Sequence, residues 1–201
     1  MPNKYKNRLI DKVYGSLLGG LIGDAMGAPS EGMTWQQIEE KFGKIGDFSG
    51  AGTDDSAIKQ ILCEALIENG GYITADEFAA SFLKNKDKYY NLFFIPVRNM
   101  LHKLEARLTV PIDAGYGNMQ SSSSAMSISP IGIVNACNPR QAALEAYEVA
   151  GLIHSGPTGY CRDGGAYKLN IPPARLSFHL CHNPLEKSCL RHPMPLALCS
   201  P

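Results

Sequence analysis

Neither sign of charge prevails in this chain: 19 Lys and Arg stand against 19 Asp and Glu, a formal net charge of zero. That balance gives no reason to expect a nucleic-acid or membrane surface. Long apolar runs are also lacking. The stretch Val13 to Ala28 is short for a bilayer span and contains Asp24, so it reads as a buried helix. No cleavage-type leader follows the polar start Met1 to Arg8, and a cytoplasmic protein is expected. The six cysteines form no CxxC pair and no regular framework, which predicts reduced thiols rather than a disulfide scaffold. There is no sustained period-two alternation, so no sheet is expected, and no internal repeat. What remains is a 201-residue chain, 44% hydrophobic, with enough apolar material for one folded domain.

The composition breaks near Gly165. Residues 1–165 hold 15 Lys and Arg against 18 Asp and Glu, a net of −3, whereas residues 166–201 hold four basic residues and Glu186, a net of +3. Six of the 13 prolines fall in those last 36 residues, a density that forbids a long helix. The expected organisation is a helical domain over 1–165 and an irregular, poorly ordered tail over 166–201.

Helical spacing dominates the first part. Ile10, Val13, Tyr14, Leu17, Leu18, Leu21 and Ile22 recur on one face, and Gly15, Gly19 and Gly23 fall four apart on the same helix. Small residues in a row let another backbone approach closely, which predicts a central, buried first helix. Thr34 with Gln37 and Thr74 with Glu77 are capping-box pairs, and Gly43 is placed to end the first of these helices. Ile58, Ile61, Leu62, Ala65 and Leu66 make an amphipathic stripe closed by Asn69-Gly70-Gly71. Val97, Met100, Leu101, Leu104 and Leu108 follow Pro96 at helical spacing, and Asn138-Pro139 opens a helix carrying Ala142, Ala146, Val149 and Ala150.

Four segments hold chemistry-bearing residues. Gly52-Thr53-Asp54-Asp55-Ser56 reads in two ways: as a helix start, where Thr caps and acids suit the macrodipole, or as a set of oxygen ligands for a hard cation. Gly23-Asp24-Ala25-Met26-Gly27-Ala28-Pro29-Ser30-Glu31 ends the apolar helix. Asp24 there needs polar partners, and Glu31 is either a surface residue or a carboxylate facing a cleft. Gly115-Tyr116-Gly117-Asn118-Met119-Gln120, followed by Ser121 to Ser124, offers amide and hydroxyl donors suited to phosphate oxygens, or is a plain flexible loop. His154 ends the Asn138 helix, where a capping role is the simpler reading.

Taken in series, a Gly-rich first helix ending GDAMGAPSE, a TDDS helix start, a GYGN…SSAM…SPIG segment, an Asn-Pro helix and a terminal His resemble the ADP-ribosylglycohydrolase family over residues 8 to 165. The resemblance implies an all-α, ADP-ribosylglycohydrolase-like helical bundle and a magnesium-dependent hydrolase of ADP-ribose linkages. Residue by residue, it implies metal ligation by Thr53, Asp54 and Asp55, and catalytic roles for Glu31 and Asp55. It assigns contacts with the diphosphate to Tyr116, Gly117, Asn118, Ser124, Ala125 and Met126, and an adenosine-side position to His154. It gives Asp24 a mainly structural role. The implied partner is ADP-ribose or an ADP-ribosylated protein, with no nucleic acid and no membrane; oligomeric state is open.

Three departures from the family pattern stand out. Ser127 takes the place of an Arg that often follows the Ala-Met pair, and the loop between Asn118 and Ser124 is longer than the common form. The family's late D-x-D-T segment, which completes a two-magnesium site, has no counterpart, since no Asp follows Asp163. The bundle is therefore expected to be truncated, through an early stop or a shifted reading frame near Gly165, and the hydrolase weak or inactive. The rival functions are a catalytically silent remnant that still binds ADP-ribose, and a structural protein of the crystallin kind. His179, Cys181, His182, Cys189, His192 and Cys199 make zinc a further rival in the tail, although their spacings fit no familiar pattern.

Overall fold

A computed structural model describes residues 3–48 and 50–155. Among these residues there are eight α-helices, two 3-10 turns and no strand, as expected for an all-α bundle. The helices are α1 (Asn3–Gly27), α2 (Trp35–Phe42), α3 (Asp54–Glu68), α4 (Ala75–Tyr89), α5 (Ile95–Glu105), α6 (Ser123–Ser127), α7 (Ser129–Val134) and α8 (Pro139–Gly151). The expectations for the tail, including its order and its zinc ligands, lie outside the described residues.

The local signals act where the sequence puts them. Thr34 and Gln37 close a capping box on α2, and Gly43 ends that helix. Thr74 and Glu77 do the same for α4. The Asn138 side chain accepts the Gln141 amide at 3.3 Å at the start of α8, with Pro139 in the first turn.

The core lies around α3. Ile58, Ile61, Leu62, Ala65 and Leu66 are all buried there. α3 packs on α4, α6, α7 and the end of α1, while α4 also meets α5 and α8. Phe78 and Phe82 meet at a tilt with centroids 4.7 Å apart, and Phe82 meets Phe93 edge-on at 5.8 Å, so three rings fill the space between α4 and the entry to α5. Val97, Met100 and Leu101 of α5 and Ala146, Val149 and Ala150 of α8 complete it.

Two expectations fail. The first helix is not buried among the described residues: Leu9, Ile10, Tyr14, Leu18 and Leu21 are exposed, Tyr14 by 64%, and Ala25 is its one buried apolar residue. A Cβ at Gly15, Gly19 or Gly23 would meet nothing within 4 Å, so the glycine stripe seats no neighbouring backbone there. Among the described residues, α1 finds its main partners in α3 and the 3-10 turn Ala28–Ser30. Periodicity announces that a face needs covering, not what covers it. Cys137 is disulfide-bonded, against the expectation of reduced thiols, while Cys63 on α3 is free and half-buried. No helix among the described residues is long and apolar enough to cross a membrane.

Phe82→Ala should therefore cost about 3–5 kcal/mol in urea denaturation, because it empties the centre of the ring cluster. Ile10→Ser should stay within about 0.5 kcal/mol, as for other exposed positions. An equally large loss at Ile10 would show that the α1 face is covered in solution.

Candidate active-site groove

The site begins with how two helix ends are joined. Asp24, in the last turn of α1, reaches the first turn of α3. Its Oδ2 accepts the Thr53 amide at 2.8 Å and the Ser56 amide at 3.1 Å, its Oδ1 accepts the Thr53 hydroxyl at 2.7 Å, and the Ser56 hydroxyl also donates to Oδ2. Those amides are orphan donors of a helix N-terminus, so a residue about 30 positions upstream does the work of a capping side chain. Thr53 is also the formal cap of α3, with its Oγ1 3.4 Å from the Asp55 amide. Burial alone would raise the Asp24 carboxyl pKa, but the bonds from Ser56 and Thr53 outweigh it and hold the group below the usual carboxylate value. The approach is tight: a Cβ on Gly52 would stand 2.3 Å from Asp24 Oδ2 and 2.5 Å from Ser56 Oγ, so only glycine fits.

Beside this clamp runs a groove of about 370 Å³ lined by Gly19, Gly20, Gly23, Asp24, Gly27, Ser30, Glu31, Asp55 and Lys59. The glycines of α1 thus form a floor without side chains, which leaves the carboxylates of Asp55 and Glu31 an open space between them. Glu31 follows the 3-10 turn and is exposed. Asp55 carries the largest perturbation: burial first, then the charges of Asp24, Asp54 and Glu31, push its carboxyl up to about 6, partly opposed by Lys59. Asp54 does not line the groove. Its pKa is raised chiefly by burial, partly opposed by the backbone of Asp54 itself and of Phe94 at the entry to α5. Glu31 and Asp55 therefore line one groove, and the Asp54 charge is felt by Asp55.

The oxygen donors here suit a hard cation rather than zinc. Among the described residues, however, no group of three or more His, Cys, Asp or Glu side chains converges to hold one. Thr53 Oγ1 is engaged with Asp24 and the Asp55 amide. The described residues offer part of a coordination sphere at most.

The segment from Gly115 to Ser124 is more ordered than its composition suggests. Tyr116 is exposed, and Gly117 takes φ +73, the left-handed region that favours glycine. Asn118 donates to the carbonyls of Pro96 (3.2 Å) and Ile153 (2.8 Å) and accepts the Lys103 ammonium at 2.9 Å. Lys103 also donates to the Ala114 carbonyl at 3.0 Å and to that of Tyr116. Desolvation lowers its pKa. Ser123, Ser124 and Ser127 are buried on α6, while Ala125 and Met126 are half-buried beside them. His154 is fully buried against Ser121 and Ser124. Sequence reasoning missed Lys103 and Ser56. Lys103 sits in an ordinary amphipathic helix and gave no signal, whereas Ser56, one turn into α3 beside an Asp-Asp pair, was open to suspicion.

Asp24→Ala should cost about 2–4 kcal/mol, because the donors of Thr53 and Ser56 lose their acceptor. Asp24→Asn should cost less. Since the folded-state pKa is depressed, this stabilisation is present above the ordinary carboxylate pKa and is lost as pH falls through the lowered value. Chemical denaturation from pH 7 to pH 3 tests it; a variant whose loss of stability is the same at both ends would contradict the clamp.

Comparison with known proteins came to one match. The family model described as ADP-ribosylglycohydrolase matches residues 5–166. No curated protein and no solved structure matches the chain. The matched range covers α1 to α8, including the clamp, the groove and the serine segment. This chain belongs to the ADP-ribosylglycohydrolase family.

Proposed function

We propose that this chain is a hydrolase of the glycosidic bond at the anomeric carbon of ADP-ribose, released from a protein side chain or a small molecule. The observation that carries the reading is Asp55, which lines an open, glycine-floored groove together with Glu31 and whose carboxyl is raised to about 6. A base titrating there is mostly ionised at neutral pH and can take a proton from water without binding it permanently. Glu31 adds a second carboxylate to stabilise positive charge developing on the ribose. Asp24, fixed by its four bonds, keeps the first turn of α3 in place.

Magnesium is the proposed cation, with Thr53, Asp54 and Asp55 as the groups of this chain that would serve it. When bound it supplies positive charge opposite the clustered carboxylates. Tyr116, Gly117, Asn118, Ser124, Ala125 and Met126 are proposed to form the diphosphate side, mainly through backbone donors. A second reading keeps ADP-ribose binding without turnover. It is favoured by the lack, among the described residues, of three converging metal ligands.

Release of ADP-ribose from an ADP-ribosylated peptide with magnesium separates the two. We expect slow release that depends on magnesium. Asp55→Asn should lower it by roughly 10²–10⁴-fold, the usual contribution of a general base. Calorimetric binding of ADP-ribose with no release at any pH would establish the silent form. A rate indifferent to Asp55→Asn would remove Asp55 from the chemistry.

A further inference from the structure

Lys103, in the last turn of α5, meets the loop that precedes α6. Its ammonium carries three protons and spends all of them on that loop: on the Ala114 carbonyl at 3.0 Å, on the Tyr116 carbonyl, and on Asn118 Oδ1 at 2.9 Å. Three oxygens from a stretch of five residues would repel one another with nothing positive between them. The cation lets them converge, and charge-assisted bonds of this kind are about twice as strong as neutral ones. Asn118 passes the anchorage on. Its Nδ2 donates to the Pro96 carbonyl in the first turn of α5 and to the Ile153 carbonyl after α8. The loop also presses on the end of α8, since a Cβ on Gly115 would stand 2.5 Å from the Gly151 carbonyl oxygen.

Drawing carbonyls inward turns amides outward. In a trans peptide the C=O of one residue and the N–H of the next point in opposite directions, and the peptide bonds of this loop are trans. With the Tyr116 carbonyl on Lys103, the Gly117 N–H therefore points away from the ammonium. The Tyr116 and Asn118 amides are used within the turn, at 3.0 Å to the Asp113 carbonyl and 3.2 Å to the Gly115 carbonyl. Among the described residues the Gly117, Met119 and Gln120 amides have no partner. These are the donors left for an anion, and Lys103 has no proton left to offer one itself.

We propose that Lys103 is a positioning residue of the diphosphate seat: it gathers the Ala114, Tyr116 and Asn118 oxygens on one side of the loop and so aims the Gly117 amide at phosphate oxygens that it does not touch. The inference rests on the reading of the loop as that seat. A compact ammonium with three rotatable donors suits three converging oxygens, whereas a planar guanidinium fork does not.

NMR and calorimetry on the full chain test both halves of the argument. Lys103→Met keeps the apolar stem and lacks the ammonium. In that variant, exchange of the Tyr116 and Asn118 amides should speed up by about tenfold or more, while Ile58–Leu66 keeps its wild-type rates. ADP-ribose affinity should fall by about tenfold or more in the same protein. Lys103→Arg keeps the charge and should restore neither value. If loss of the ammonium unfolds the chain, Lys103→Arg carries the same two measurements. In wild-type protein ADP-ribose should move the Gly117 amide resonance. Wild-type affinity in Lys103→Met overturns the positioning role, as does a Lys103→Arg protein that matches wild type in both exchange and affinity. Wild-type protein that takes no ADP-ribose, or binds it without moving the Gly117, Met119 or Gln120 amides, overturns the diphosphate seat instead, while the exchange rates still decide whether Lys103 orders the loop.

Discussion

Four hydrogen bonds from Thr53 and Ser56 converge on one carboxylate, that of Asp24, and the rest of the groove is built out from that junction. An α-helix starts with amide protons that have no partner inside it. In α3 two of these go to a charge supplied by α1, which joins the two helices and complements the α3 macrodipole at once. The junction also sets the position of Asp55, one residue past the start of α3, and aims it into the space above the α1 glycines. Because the Asp24 charge is held by hydrogen bonds rather than by a cation, it adds to the negative field felt by Asp55.

The glycines of α1 show how one sequence pattern serves two physical purposes. Spacing of four along a helix reads as a seat for another backbone, and Gly15, Gly19 and Gly23 do have that spacing. In the structure Gly19 and Gly23, with Gly20 and Gly27, instead clear the floor of a groove. Gly20 comes near the Lys59 side chain, where an added Cβ would stand 3.1 Å from Nζ. The apolar residues on the same helix remain exposed among the described residues. Hydrophobic periodicity and glycine periodicity are both statements about contact, and neither specifies the contacting group.

What was legible in the sequence follows the range of the interactions. Capping boxes, the Asn-Pro start of α8 and the buried stripe of α3 depend on residues three or four apart, and they sit where the pattern placed them. The membership of Glu31 and Asp55 in one groove came from resemblance rather than from spacing, because 24 positions separate them and nothing local ties them together. The partners of Asp24 were illegible for the same reason: an isolated acid after an apolar run declares a need for donors without naming them. Ser121 to Ser124 read as phosphate-suited donors or a plain flexible loop, yet Ser123 and Ser124 are buried and the run starts a helical turn. Its order comes from His154, some 30 residues on, and from Lys103 and Asn118, which hold the preceding loop.

The same rule divides the acids of the groove into different roles. Asp24 and Asp55 belong to one cluster and both lose solvent, which taken alone raises the pKa of each. Asp24 receives amide and hydroxyl protons in compensation and stays ionised. Among the described residues Asp55 receives no comparable donors, Lys59 supplies an opposing charge, and its carboxyl rises to about 6. Two chemically identical side chains are thereby separated into a fixed charge and a titrating one, which is how a site obtains both a scaffold and a base from a single residue type. Removing the scaffold would not simply free more charge for chemistry. It would untie the first turn of α3, move Asp55 off the groove and dissolve the cluster that perturbs it. The reactivity proposed for Asp55 is therefore a consequence of how tightly Asp24 is bound.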